Sequence, residues 1–193
     1  MTLVRVRGND GEMLTAMGAL RLEAWGRILG PGAAAARFGV DDDDTRAWHC
    51  LVLDEGMLVA AGRLTVHSSV DALPESTSFG PYLEQMRVPL GLASRLVVHP
   101  AHQRRGHAAR IIVERLVLAA ELDLNEVWGE TRRHKVNGLT RYGYEPMGPS
   151  VDDSVPGEWV ILRAPLDQDL RVRHQPSLAR VTVPGRCRPN SVG

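Results

Sequence analysis

The sequence predicts a mixed α/β (α+β) domain built on a central sheet that is mostly antiparallel. Strand-like and helix-like hydrophobic patterns follow one another along the chain, which is typical of a sheet covered by helices. Two strand patterns, 47–54 and 57–68, are separated only by Glu55-Gly56, and so short a turn predicts an antiparallel hairpin. The last strand pattern, 157–166, is long. A purely parallel, doubly wound sheet would contain neither this hairpin nor this final strand in these places.

The first part of the chain contains one strand, one helix and an acidic loop. Residues 2–7 alternate apolar and charged side chains, which predicts a half-buried strand. Residues 12–29 carry apolar side chains on one helical face, and Gly30-Pro31-Gly32 ends this helix. Four successive aspartates follow at 41–44. Because their charges repel one another and favour water, they predict a solvated loop.

The second part of the chain begins with a long connection, 69–91, that is rich in Pro, Ser, Glu and Gly. A connection of this length inside a compact domain is usually functional or flexible. The hydrophobic pattern then predicts an alternation of strands and helices up to the final strand. The predicted elements are a strand at 92–99, a helix at 108–122, a strand at 125–131 and a short polar helix at 132–141.

The composition limits the classes of function. The 193 residues suffice for one domain, and 23 basic and 23 acidic residues give no net charge, which argues against a nucleic-acid-binding protein. Cys50 and Cys187 lie far apart without the spacing of a metal site. The sequence shows neither a signal peptide nor a membrane span. We therefore expect a cytoplasmic enzyme or binding domain.

The domain is predicted to cover residues 1–168, followed by a basic tail at 169–193. The tail contains five arginines and no acidic residue between 171 and 193. Two interpretations of the tail stay open. It is either disordered or packed against a partner subunit.

The turn Gln103-Arg-Arg-Gly-His-Ala108 has the composition of an anion-binding site. It lies directly between an apolar strand and an amphipathic helix, where free backbone amides at a helix N-terminus can bind a phosphate group. Gly106 has no Cβ that would keep the ligand away from the backbone. Arg104 and Arg105 add donors that reach phosphate oxygens. The turn is therefore predicted to hold a diphosphate.

The stretch from Ser94 to Leu116, SRLVVHPAHQRRGHAARIIVERL, resembles the acyl-CoA-binding core of the GCN5-related N-acetyltransferase (GNAT) superfamily. Gln103, Gly106 and Ala108 match the family signature R/Q-x-x-G-x-G/A, and the resemblance continues through NEVWGET to Gly143-Tyr144. It implies a GNAT fold with splayed central strands, acetyl-CoA or another acyl-CoA as co-substrate, and no metal. It also implies that the pantetheine arm pairs with one strand and that helix-start amides hold the pyrophosphate. The residues so implied are Leu96, Val97 and Val98 for the arm, and Arg104, Arg105, Gly106, His107, Ala108 and Ala109 for the pyrophosphate.

The sequence departs from the family pattern at the residues that usually perform the chemistry. The family's frequent tyrosine acid corresponds to Leu139, and the strand at 92–98 contains no glutamate. Ser94 takes a comparable place and, by strand alternation, would face the same side as Leu96 and Val98. Glu130, at the end of the next strand, is the nearest carboxylate. Ser94 and Glu130 are therefore the catalytic candidates.

A narrower resemblance concerns the substrate. The chain resembles the subgroup that includes acyl-homoserine-lactone synthases and N-acyl amino acid synthases. The resemblance lies in LRLEAW, the aspartate-rich loop, VAAGRL and SRLVV. This resemblance implies that Arg21, Arg63 and the aspartates at 41–44 help to build the acceptor and acyl pocket. The two arginines would then bind the carboxylate of an amino acid acceptor. The alternative is that they pair with internal carboxylates such as Glu23 or Asp54.

Together these features predict an N-acyltransferase that moves an acetyl or other short acyl group from acyl-CoA to a primary amine by direct attack. Two alternatives stay open. One is an N-acyl synthase that takes long acyl chains from acyl carrier protein, and the other is a non-catalytic module that binds acyl-CoA. Because this fold often forms homodimers, we also expect a homodimer, and no nucleic-acid or membrane partner.

Overall fold

The computed structural model describes residues 1–8, 10–73, 76–151 and 157–166. The predicted basic tail at 169–193 lies outside these residues. No helix in the described ranges combines the length and the apolar character that crossing a bilayer requires.

The first part of the chain contains the predicted strand, long helix and hairpin, and two further helices. Helix α1 begins at an Asp10 cap whose carboxylate accepts a hydrogen bond from the Met13 amide. The predicted loop after it is wrong, because the chain enters a second helix at Pro31 and a third after Asp41. The elements are β1 (Thr2–Arg7), α1 (Gly11–Leu29), α2 (Pro31–Phe38), α3 (Asp42–Arg46), β2 (Trp48–Asp54) and β3 (Met57–His67).

The second part alternates strands and helices as predicted, with one strand that the hydrophobic pattern did not indicate. The connection after β3 contains two 3₁₀-helical segments and one short α-helix. The missed strand is β6, whose two prolines hide its strand character. The elements are α4 (Ser76–Phe79), β4 (Leu90–Val98), α5 (His107–Glu121), β5 (Glu126–Arg132), α6 (Val136–Thr140), β6 (Glu145–Pro149) and β7 (Trp159–Pro165).

The seven strands of the described residues form one sheet in the order β1-β2-β3-β4-β5-β7-β6. The pairing of β4 with β5 is parallel, and the other pairings among the described residues are antiparallel. This confirms the predicted mixed, mostly antiparallel sheet. The single parallel pairing lies in the middle of the sheet, between two antiparallel halves.

Helices cover both faces of this sheet. On the face that we call the α5 face, α5 buries Ile111 and Leu116 against β2, β3 and β7. On the opposite face, which we call the α1 face, Met17 and Leu20 of α1 pack on β2 to β4, and the connection after β3 packs on β4 and β5. Each face thus has its own hydrophobic core, as the burial of apolar area requires.

A bulge in β4 changes which side chains share a face. Arg63 pairs with Ser94 but Ala61 pairs with Val97, so β4 has one extra residue opposite Gly62. Arg95, within the bulge, has a left-handed φ of 55°. The prediction that Ser94 faces the same side as Leu96 and Val98 is therefore wrong. Ser94 faces the α1 face, whereas Leu96 and Val98 pack on the α5-face core.

Candidate functional site

The two central strands separate and leave a fork in the middle of the sheet. Residues 90–93 of β4 pair with 126–129 of β5, and the pairing ends there. The fork begins at Gly129, where the two strands are still in close contact. A Cβ at this position would lie 2.9 Å from the carbonyl oxygen of Ala93, so a glycine allows this close approach. Beyond this point, residues 94–98 keep β3 on one side only. No strand of the described part of the chain pairs with their other edge, which can therefore hydrogen-bond to an extended ligand as another strand would.

The turn before α5 has the backbone geometry of an anion-binding site. Arg104 and Gly106 have left-handed φ values of 63° and 80°. Gly106 is the N-cap of α5 and makes no side-chain cap, and the first turn of the helix contains no acidic residue. Alternating left- and right-handed residues turn successive N–H groups toward one point, and the helix dipole adds a favourable field. The geometry therefore suits the predicted diphosphate.

One cavity of about 680 Å³ joins this turn to the fork. It passes between β4 and β5 and opens on both faces of the sheet. It brings together most of the predicted site residues, whereas Arg105, Arg21 and Arg63 do not lie on its wall. The predicted residues on the wall are Ser94, Leu96, Val97, Val98, Gln103, Arg104, Gly106, His107, Ala108, Ala109 and Glu130.

The wall of this cavity is strongly basic. Among the described residues, Glu130 is its one carboxylate. The basic side chains are Arg37, Arg95, Arg104, Arg115, Arg132, Lys135 and Arg141. A cavity with this charge balance favours an anionic ligand such as a phosphorylated cofactor.

The two catalytic candidates lie on the same face of the sheet, on either side of the fork. Trp128 belongs to the α1-face core, and Glu130 follows it by two residues in the same strand. The Ser94 hydroxyl oxygen accepts a 2.9 Å hydrogen bond from Nε of Arg63. Glu130 and Ser94 therefore both face a ligand that approaches from the α1 face.

The predicted substrate-binding arginines lie inside an ion-pair network. Arg21 donates from its two terminal nitrogens to Asp44 at 2.6 and 2.8 Å, and Arg63 donates to Asp41 at 2.5 Å. Arg95 binds the other oxygen of Asp41 at 2.8 Å. Arg21 and Arg63 are each 1% exposed. Their partners are thus neither Glu23 nor Asp54, and the geometry favours a supporting role over direct contact with an acceptor.

The predicted solvated loop at 41–44 is also wrong, because Asp41 and Asp44 form the acidic half of this network. Asp44 is fully buried, and the Asp41 and Asp44 carboxylates cap one another's backbone at the start of α3. Burial alone would raise the pKa of Asp44, but the hydrogen bonds and charge of Arg21 hold it well below its usual range. A run of charges looks the same in a sequence whether water or arginine compensates it.

His49 makes the network sensitive to acid. Its ring is buried, and Nε2 donates to the carbonyl oxygen of Asp44 at 2.9 Å. Burial, together with the charges of Arg21 and Arg63, lowers the pKa of His49 from 6.5. A lowered pKa means that the unfolded chain takes up the proton first. The stability that depends on neutral His49 is therefore complete above pH 6.5 and falls as the pH decreases below it.

We expect the free energy of unfolding to decrease between pH 7.5 and pH 5, and to decrease less steeply in a His49→Gln variant. The glutamine amide can still donate to the Asp44 carbonyl but does not titrate. Urea denaturation at each pH measures the effect, with His134→Gln, at an exposed position, as the matched control. Equal pH slopes in the two variants would show that His49 does not carry the effect.

The hydrophobic pattern missed several residues of the cavity wall. Trp25 and Phe38 stack with ring centroids 4.2 Å apart at the α1-face opening, where the sequence only marked the end of a helix. Arg115 and Tyr144 line the cavity from the α5 face. A signal for Arg115 was present, because it follows Ile111 by four residues and therefore lies on the apolar face of α5.

Comparison with known proteins identifies the fold. No protein-family model matches the sequence, and no curated protein matches it. Solved structures do. An acyl-CoA N-acyltransferase from Pseudomonas aeruginosa is 18% identical with a TM-score of 0.61, over 85% of this chain and 99% of that one.

Two CoA-dependent acyl-homoserine lactone synthases superpose equally well. BjaI, solved with SAM and isopentyl-CoA, is 12% identical with a TM-score of 0.67, over 91% of this chain and 88% of that one. MesI is 15% identical with a TM-score of 0.66, over 94% of this chain and 97% of that one. These likenesses confirm that the chain has the GNAT fold that its sequence predicts.

Proposed function

We propose that this chain, which has the GNAT fold, transfers a short acyl group from acyl-CoA to a primary amine by direct attack. One observation carries the proposal. The diphosphate-binding turn and the open edge of β4 border the same cavity, which passes through the sheet at the fork. An extended ligand with an anionic head fits this arrangement, and acyl-CoA is such a ligand.

The cofactor's binding mode follows from these two features. The pyrophosphate binds the amides from Arg104 to Ala109 at the start of α5, and the pantetheine arm extends along 96–98. Five residues of β4, from Val98 to Ser94, span about 13 Å. The arm therefore places the thioester near Ser94, at the closed end of the fork. The likeness to CoA-dependent enzymes supports this placement.

The amine approaches from the α1 face, opposite α5. Glu130 takes a proton from the substrate ammonium, and the neutral nitrogen then forms a bond to the thioester carbon. The C–S bond breaks and its electron pair stays on sulfur, which takes a proton from solvent. The nitrogen releases its second proton to solvent as the amide forms, which balances the proton that the sulfur takes up. The Ser94 oxygen accepts a hydrogen bond from Arg63, so its hydroxyl proton can be donated to the negative charge that develops on the thioester carbonyl oxygen.

Two observations favour a second candidate, an N-acyl synthase of the acyl-homoserine lactone type. The synthases BjaI and MesI superpose on 91% and 94% of this chain, whereas the Pseudomonas aeruginosa acyltransferase superposes on 85%. In addition, Trp25, Ile28, Phe38 and Phe79 give the α1-face opening an apolar wall. Such a wall suits either a longer acyl chain or an apolar acceptor.

A panel of acyl-CoA thioesters separates the two candidates. We expect acetyl-CoA and butyryl-CoA to raise the melting temperature at least as much as palmitoyl-CoA does, because the pairing of β4 with β5 closes the fork at Gly129. Differential scanning fluorimetry at equal ligand concentrations measures this. A clear preference for palmitoyl-CoA, or for acyl carrier protein over CoA, would favour the second candidate.

A Glu130→Gln substitution tests the catalytic role. We expect kcat for amine-dependent CoA release to decrease by about 100-fold or more, the usual contribution of a general base. The dissociation constant for acyl-CoA should not change. Glu84→Gln, exposed and away from the cavity wall, is the matched control. Tight acyl-CoA binding without turnover in any protein tested would instead indicate a non-catalytic acyl-CoA module.

A further inference from the structure

Arg115 is a buried cation without a buried anion. It is 4% exposed, so it is buried like Arg21 and Arg63, which are 1% exposed. Those two arginines bind aspartates, whereas no carboxylate of the described residues lies within ion-pair distance of Arg115. Its Nη1 donates only to the carbonyl oxygens of Ser94 and Arg63, at 3.3 and 3.4 Å. A buried charge without a counterion is costly, so the missing partner is significant.

The guanidinium of Arg115 lies at the closed end of the fork. Ser94, whose carbonyl it binds, is the first residue of β4 beyond its last pairing with β5. Arg115 lies on the cavity wall, eight residues and about 12 Å along α5 from the phosphate-binding end of the helix. This distance is close to the length of β4 along which the pantetheine arm would extend. The charge therefore lies where the acyl group would end.

Tyr144 provides a second polar group in the same place. It is 5% exposed and lines the same cavity, and its hydroxyl has no hydrogen-bond partner among the described residues. Burial raises the pKa of Tyr144, while the nearby charge of Arg115 acts in the opposite direction. The phenol therefore stays protonated and can donate. An unsatisfied buried hydroxyl is rare in folded proteins, and a ligand would satisfy it.

The free donors have the shape of a carboxylate site. Nε of Arg115 is buried without a partner, and Nη2 makes no hydrogen bond to the described residues. These two nitrogens form one edge of the planar guanidinium, which binds both oxygens of a carboxylate at once. A leaving thiolate presents a single atom and would use only part of this edge.

We propose that Arg115 and Tyr144 bind the terminal carboxylate of the acyl group, so that the preferred donor is the CoA thioester of a short dicarboxylic acid. This inference rests on the proposed function, because that function places the acyl group at the closed end of the fork. The opposite wall, with Leu92 and Phe79, is apolar. The site therefore distinguishes acyl groups by charge as well as by length.

Calorimetric titration with matched pairs of thioesters tests the inference. Succinyl-CoA is compared with butyryl-CoA and malonyl-CoA with propionyl-CoA, since each pair has the same carbon count and differs in the carboxylate. We expect the dicarboxylic thioester to bind at least about 10-fold more tightly, as hydrogen bonds to a charged group would give. Arg115→Met should remove this preference and leave the affinity for free CoA unchanged.

Tyr144→Phe keeps the test informative if Arg115→Met does not fold, because this variant removes only a hydroxyl that has no protein partner. It should reduce the preference several-fold. Equal binding within each pair would overturn the inference and leave the proposed function standing. The inference would also be overturned if Arg115→Met lowered turnover equally with both donors of a pair. That result would indicate that Arg115 stabilises the leaving thiolate. Failure of every thioester to bind would overturn the proposed function itself.

Discussion

A Gly106→Val variant is expected to lose affinity for CoA by on the order of 100-fold, similar to the loss of a donor from a preorganised anion site. Gly106 has a φ of 80°, a conformation that valine adopts only with strain, and, apart from its neighbours in the chain, no atom of the described residues lies within 4 Å of an added Cβ. The substitution therefore disturbs the N–H groups that converge on the diphosphate and adds bulk on the ligand's side of the backbone. Calorimetry with CoA measures the loss.

Gly56→Val is the matched control for backbone strain. Gly56 lies in the hairpin turn between β2 and β3 and has a φ of 83°, and the described residues beyond its chain neighbours likewise leave open space around an added Cβ. Both variants should lose a similar amount of thermal stability, but only Gly106→Val should lose CoA affinity. If the Gly106 variant folds and binds CoA as the control does, the turn before α5 is not a diphosphate site.

The second large effect is expected at Arg21. Arg21→Met should lower the free energy of unfolding by about 3–5 kcal/mol, because it leaves the buried Asp44 carboxylate without its main partner. A loss of that size is a large part of the stability of an ordinary domain. Urea denaturation at pH 7.5 measures it. The effect should shrink in a background that already carries Asp44→Asn, since no carboxylate is then left unpaired.

Arg27→Met is the control on the same helix. Arg27 pairs with Glu23 at 3.4 Å, and both side chains are exposed, so its loss should change stability by no more than about 0.5 kcal/mol. Arg63→Met should resemble Arg21→Met, because Arg63 binds Asp41 and Asp44. Were Arg63→Met to keep its melting temperature and lose only acceptor-dependent turnover, Arg63 would be an acceptor-binding residue after all.

The sequence predicted the elements whose signals are local. The hairpin followed from a two-residue turn at Glu55-Gly56, and α5 followed from apolar residues at helical spacing. The anion-binding turn was recognised because a glycine stands between a strand and a helix. In each case the causes lie within a few neighbouring residues, so the pattern alone carries the information.

The predictions that failed depend on partners distant in the chain. Whether Asp44 meets water or Arg21 is decided by a side chain that lies 23 residues earlier in the chain, which no local pattern shows. The bulge opposite Gly62 reversed the face expected for Ser94, since one extra residue inverts all later alternation. The sequence also does not show that Arg115 lacks a counterion, because the partners of the buried arginines are set by the fold.

The four rungs between β4 and β5 have a further consequence, for the lifetime of the protein. Together with the hydrogen bond from the Asn125 amide to the Pro89 carbonyl, these rungs join the backbones of two antiparallel half-sheets, and the proposed ligand would extend the junction with hydrogen bonds of its own. A ligand that binds only the native state adds about 2.7 kcal/mol to stability at a concentration of 100 times its dissociation constant. Transient opening along this junction, and the proteolysis that follows opening, would then slow as acyl-CoA accumulates. The abundance of the protein would follow the supply of its own substrate.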